Sequence, residues 1–184
     1  MTHTHKPLVR PTWTLALCVL AAMASAVSAG AQDSASAQAQ AQATKIAMIY
    51  NFGRFTLWPD SRFSHANDPV VVCIDPSDPL SEPFATIDGK PLGGRSLVVR
   101  RTSRFDHACN MAYVSSANAN DDYLATLRDH GVLTIGETPG FSRAGAIRLT
   151  TIGRQVRFEI NQRNAAQAGA QLSSNLMRLA ISVR

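Results

Sequence analysis

Few residues in this chain are of a type and spacing that could do chemistry. Past the first thirty-one residues the histidines are His65, His107 and His130, and no two stand at metal-ligand spacing. His107-Ala108-Cys109 could form a local chelate only if the thiol stayed free. Gly140-Phe141-Ser142-Arg143-Ala144-Gly145 comes close to a nucleophile elbow, but it has one residue too many and is not set between a strand and a helix. It reads better as a turn anchored by Phe141. Gly89 to Gly94 contains Gly and Lys out of phosphate-loop order, and it precedes a strand. Asp121-Asp122 stands at a helix start, where carboxylates are favoured by the helix dipole. Asp75 and Glu159 have no partner visible in the sequence. No acid, base and nucleophile assemble, so the residues indicate neither an enzyme nor a cofactor or metal site.

Cys73 and Cys109 are the two cysteines beyond the amino-terminal segment. Cys73 closes an apolar strand and Cys109 precedes another. Neighbouring strand ends could bring them to bridging distance. The alternatives are a disulfide or two buried thiols, and export to an oxidising compartment favours the disulfide. There is no C-x-x-C pair, which argues against a thiol oxidoreductase.

Export itself is read from residues 1–31. Lys6 and Arg10 make a basic start, an apolar stretch runs from Trp13 to about Ala24, and Ala29-Gly30-Ala31 fits a cleavage site. Leu17 before Cys18 is too large for a lipoprotein signal. Residues 32–43 are Ala, Gln and Ser with one Asp; they hold nothing apolar larger than Ala and are expected to be a disordered leader. Residues 44–184 are expected to form the folded domain. Without the signal the chain keeps 16 basic and 13 acidic residues, a net +3, which is not the balance of a nucleic-acid binder.

The elements that would hold these residues alternate between helical and extended patterns. Thr44 reads as the cap of a helix carrying Ile46, Ile49, Phe52 and Phe55, stopped by Trp58-Pro59. Val70 to Ile74 is a continuous apolar run of the kind buried on both faces of a sheet. A short helix over Leu80–Ile87 and strands at Ser96–Arg100 and Met111–Val114 follow. A helix over Asp121–Asp129, a strand at Val132–Ile135 and a hairpin of Ala146–Thr151 with Gln155–Ile160 come next. From Asn161 onward Ala165, Ala168, Leu172, Leu176, Leu179 and Val183 make one apolar stripe, predicting a long carboxyl-terminal helix. The expected fold is a single-domain α/β sandwich with a mainly parallel sheet, an antiparallel hairpin near the end and that helix.

The residues Lys45-Ile46-Ala47-Met48-Ile49-Tyr50-Asn51-Phe52-Gly53-Arg54-Phe55-Thr56-Leu57-Trp58-Pro59 resemble the opening of the YfiR-like periplasmic proteins. The resemblance continues through Val72-Cys73-Ile74, Gly94-Arg95, Cys109 before Ala112-Tyr113-Val114, Gly140-Phe141, Phe158-Glu159-Ile160-Asn161 and the Leu172 to Ala180 stretch. It implies a regulator without catalytic activity. Such a protein binds the periplasmic sensor region of a YfiN-like inner-membrane diguanylate cyclase and lowers cyclic-di-GMP output. A YfiB-like outer-membrane lipoprotein would sequester it, and a homodimer is expected. Cys73 and Cys109 match the positions of one family disulfide. A second pair is absent between Gly140 and Leu149, so redox switching does not carry over. A regulator of this kind works through a surface that favours one conformation of its target. The residues expected to bind the partner are Phe141, Arg157, Glu159, Asn161, Arg163 and Arg178. Other readings are a periplasmic small-molecule carrier or sensor, and a hydrolase built on Ser142.

Overall fold

The computed structural model describes residue 2, residues 16–115 and residues 118–184, with the side chains of the first helix described from Ser34 onward. Lys6 and Arg10 of the expected export signal lie outside the described residues. Two compact units are present, Met1–Gln40 and Ala41–Arg184. Among the described residues no helix is long and apolar enough to cross a membrane.

Helix α1 spans Ala16–Arg54. It runs through residues 32–43, where the sequence predicted a disordered leader, and through Thr44, where it predicted a cap. Ala and Gln are good helix formers, and no Gly or Pro lies between Gly30 and Gly53 to stop the ladder. Ser34–Gln40 are exposed, so intrinsic propensity rather than burial carries this stretch. Burial takes over at Ile46, Ile49 and Phe52, on one face at helical spacing. A Cβ at Gly53 would stand 2.8 Å from Leu92 Cδ1 and 3.2 Å from Met111 Cε. The missing side chain therefore lets the last turn lie close on the sheet.

The following strands are β1 (Thr56–Leu57), β2 (Val70–Ile74), β3 (Pro91–Leu92), β4 (Arg95–Arg101), β5 (Met111–Val114), β6 (Leu133–Gly136), β7 (Ile147–Ile152), β8 (Gln155–Ile160), β9 (Gln171–Leu172) and β10 (Ser182–Val183). Helix α2 is Asp121–Asp129, α3 is Gln162–Gln167 and α4 is Ser174–Leu179. The main sheet has the order β10-β8-β7-β6-β5-β2-β4-β3. β4, β2, β5, β6 and β7 are parallel, and β8 returns antiparallel to β7 as the expected hairpin. The two faces carry separate cores. α1 packs on one with Val72, Ile74, Met111, Leu133, Ile147, Leu149 and Phe158. The other holds Val71, Cys73, Cys109, Ala112 and Val114 under Leu124 and Leu127 of α2. Each Val, Leu, Ile, Phe or Met side chain so withdrawn from water contributes roughly 1.5–3 kcal/mol.

Two elements differ from the sequence reading. In place of a helix over Leu80–Ile87 there is a 3₁₀ turn at Pro83–Ile87, because Pro83 has no N–H to continue a ladder from residue 80. The carboxyl-terminal helix is real but broken into α3 and α4 rather than long. Gly169 (φ 71°) ends α3, and Ala170 N–H turns back to Ala165 O at 2.9 Å. β9 then pairs with β1, Thr56 opposite Leu172, before the Ser173 hydroxyl accepts from Leu176 N–H and starts α4.

Cys73 and Cys109 form a disulfide, with Cα atoms 5.8 Å apart and both residues fully buried. Asn110, next in the chain, ties three strands at their start. Its side-chain Oδ1 accepts from Val71 N–H, its N–H donates to Val71 O, and its O accepts from Leu133 N–H.

At the other end of those parallel strands Lys45 Nζ meets Glu137 Oε2 at 2.8 Å, and Tyr113 OH donates to Glu137 Oε1. Burial and the Glu137 and Asp75 carboxylates raise the Asp78 carboxyl above its usual range, against the Leu80 N–H bond and Lys45. A carboxyl raised in the folded state makes its favourable contribution at low pH and loses it as pH rises through the folded pKa. Asp78→Asn keeps the acceptor for Leu80 N–H. It is expected to leave stability at pH 7 equal or higher and to flatten its rise on acidification, as read by urea unfolding at pH 4 and pH 7.

Candidate interaction surface

The hairpin of β7 and β8 sorts its side chains by alternation. Val156, Phe158 and Ile160 enter the core beneath α1, and Phe158 meets Phe52 edge-on with ring centres 5.0 Å apart. Arg157 and Glu159 take the opposite face, where their surroundings differ. Arg157 is exposed. Glu159 is half-buried, because the turn before β7 folds over it. Arg148 Nη1 donates to Glu159 Oε1 at 2.8 Å and the Ser142 hydroxyl donates to Oε2 at 3.0 Å. The carboxylate without a visible partner in the sequence therefore has two.

The same turn holds Phe141, which was expected at the surface and is 3% exposed. Its ring lies between two glycines: a Cβ would come within 2.3 Å of it at Gly136 and within 2.2 Å at Gly145. Asn161 caps α3 through Asn164 N–H and donates from Nδ2 to Ser142 O at 2.9 Å. Asn164 Nδ2 donates to Gly145 O at 3.0 Å. Phe141, Ser142, Glu159 and Asn161 thus form a packed and hydrogen-bonded corner of the fold, with the Phe141 ring buried inside it. Ser142 is buried with its hydroxyl committed to a carboxylate, and no histidine stands among its hydrogen-bond partners. Ser142→Ala is expected to cost about 1.5–3 kcal/mol in chemical unfolding, the worth of one hydrogen bond to a carboxylate. Ester-hydrolysis assays are expected to read the same before and after the change.

Arg157, Arg163 and Arg178 are exposed, as a partner-binding role requires. The structure adds apolar residues to them, and two of these, Leu179 and Val183, are ones the apolar stripe had buried. Leu179 is 65%, Ile181 41% and Val183 42% exposed. Leu179 ends α4, and Ile181 and Val183 belong to the last segment, which runs along the outer edge of β8. Ile181 N–H donates to Phe158 O and Arg184 N–H to Ile160 O, while Gln162 N–H donates to Arg184 O. β10 lies parallel to β8 with Ser182 opposite Glu159. Exposed large side chains grouped on one edge are the usual mark of a contact surface.

The stretch of chain that forms this edge is mostly of one sign in charge. From Thr138 to Arg184 the chain has seven arginines and one acidic residue, Glu159, which is paired internally. From Thr44 to Glu137 there are nine basic and eleven acidic residues. The carboxyl-terminal third is therefore cationic on a domain that is otherwise slightly acidic. The signal that could have shown this is the count by segment rather than for the whole chain.

Elsewhere two shallow depressions adjoin at Pro59 and Gly169. One, of about 330 Å³, is lined by Arg62, Asp129 and Gln167, and the other, of about 270 Å³, by Leu57, Trp58 and Gln171. Arg62 is already engaged there, donating to Cys109 O at 2.6 Å and to His130 O at 3.0 Å. Among the described residues no group of histidines, cysteines and carboxylates could hold a metal ion.

A family profile described as YfiR/HmsC-like matches residues 42–181. No curated protein matches the sequence. Among solved structures, a conserved domain protein from Vibrio cholerae O1 biovar eltor aligns at 13% identity and a TM-score of 0.47, over 63% of this chain and 54% of that one. The chain thus spans about half the length of that protein.

Proposed function

Because the chain belongs to the YfiR/HmsC-like family of non-catalytic periplasmic regulators, we propose that it binds the periplasmic sensor region of an inner-membrane diguanylate cyclase and lowers cyclic-di-GMP synthesis. The observation that carries this reading is the exposed apolar edge at Leu179, Ile181 and Val183, set among Arg157, Arg163, Arg178 and Arg184. A protein that acts on a receptor by contact needs differential affinity for two receptor states, and a surface supplies that without an active site. On this reading residues 1–31 are removed on export, residues 32–43 are a leader, and residues 44–184 are the working domain. A YfiB-like outer-membrane lipoprotein as antagonist and a homodimer as the resting form belong to the same proposal.

The test is direct binding of the mature protein to the purified periplasmic sensor regions of its host's membrane diguanylate cyclases, with cyclic-di-GMP measured in the deletion strain. Binding and a rise in cyclic-di-GMP on deletion are expected. Unchanged cyclic-di-GMP with no binding would sink the reading. A combined Arg157→Glu, Arg163→Glu and Arg178→Glu variant is expected to lose at least tenfold in affinity by calorimetry, with its melting temperature within about 2 °C of the parent, since exposed substitutions alter stability little. Close cross-interface charge pairs are worth enough to give that loss.

A further inference from the structure

The register of the hairpin leaves part of the sheet edge open. Phe158 O and Ile160 O of β8 accept from the last segment, so those residues direct their backbone groups outward, away from β7. By alternation Val156 does the same. β10 covers only Glu159 and Ile160. On that side β8 has no ladder neighbour but β10, so the N–H and C=O of Val156 and the N–H of Phe158 lie outside the strand pairing that the described residues make. Exposed Gln155 and Arg157 flank them, and Leu179 and Ile181 lie where the chain joins this edge.

We infer that this open edge of β8 takes up an extended acidic segment of the partner as an added strand, continuing the line of β10. The inference rests on the regulatory reading above and specifies how the partner is held. Strand addition supplies affinity through main-chain bonds, and the alternating side chains supply selectivity. Carboxylates of the added strand fall on the face of Arg157. Its apolar residues fall on the face where α4 packs, next to Leu179. A second copy of this chain fits poorly, because pairing two such edges would set arginine-rich surfaces against each other, and like charges across a strand pair are destabilising.

The probe is a hexapeptide of alternating Glu and Val, titrated into the full mature chain and followed by amide NMR and hydrogen exchange. The Val156 and Phe158 amides are expected to exchange fast in the free protein, to shift on titration and to slow at least tenfold at saturation. A Lys-Val hexapeptide is expected to leave them unmoved. Val156→Pro removes the outward N–H without touching a β7 bond and is expected to abolish the shifts, while Val156→Ala retains them. Should Val156→Pro not fold, the Glu-Val peptide N-methylated at alternate residues serves instead, and it is expected not to bind. The inference is overturned if the Val156 amide is already protected in the free protein. An equal response to both peptides, or conversion of a dimer to a monomer by Val156→Pro, would overturn it as well. Failure of the sensor region to bind while the peptide result holds would remove the cyclase and leave the edge site in place.

Discussion

Alanine at both Cys73 and Cys109 is expected to lower the stability of the domain by roughly 4 kcal/mol and its melting temperature by roughly 8–16 °C. The bridge spans a sequence separation of 36 residues, and closing a loop of that length removes conformational freedom from the unfolded chain. It also clamps β2 to the approach of β5 in the middle of the parallel sheet, with both sulfurs in the α2-side core. The double substitution leaves no thiol in residues 32–184 to react, so in that chain the loss reports the cross-link and the two small voids alone. Thermal unfolding of parent and variant, each with and without reductant, checks this. The parent is expected to fall most of the way to the variant on reduction, the remainder being the two voids, and the variant not to respond. A parent indifferent to reductant after full unfolding and refolding would contradict the account.

Phe141→Ala is expected to cost about 3–5 kcal/mol, as large a loss as a single side chain here can give. The ring fills the space between Gly136 of β6 and Gly145 before β7, so its removal leaves a void that the surrounding backbone cannot close. The same packing explains why neither glycine can be replaced. A Cβ at either position would overlap the ring, and Gly145→Ala is expected to destabilise by a comparable amount. Phe141→Leu retains much of the volume and should cost less than half as much. If Phe141→Ala instead left the melting temperature unchanged and reduced only partner binding, the residue would belong to the contact surface after all. Urea unfolding beside the binding assay separates the two.

Much of the architecture was legible from local pattern. The β-branched run at Val70–Ile74, the hairpin about Gly153 and the helix behind Asn120 are set by residues close in the chain, and the structure has them within a residue or two. The break at Gly169 was less visible, because Ala165, Ala168, Leu172 and Leu176 keep helical spacing across it. What breaks the helix is pairing of Gln171–Leu172 with Thr56–Leu57, more than a hundred residues away. Glu159 and Asn161 were expected to meet a partner, Glu159 from the outer face that strand alternation gives it. Alternation does not show that the Phe141 turn covers that face.

The sequence by itself determined the α/β class, the family, the burial of the Cys73 strand and the charge of each segment, since these follow from residue type and short-range spacing. Tertiary structure decided which side chains of those elements reach water. It closed Phe141, Ser142 and Glu159 into a corner and opened Leu179, Ile181 and Val183 at a sheet edge. The physical reason is that a residue's periodicity fixes the face it lies on, whereas its exposure depends on which distant segment packs against that face.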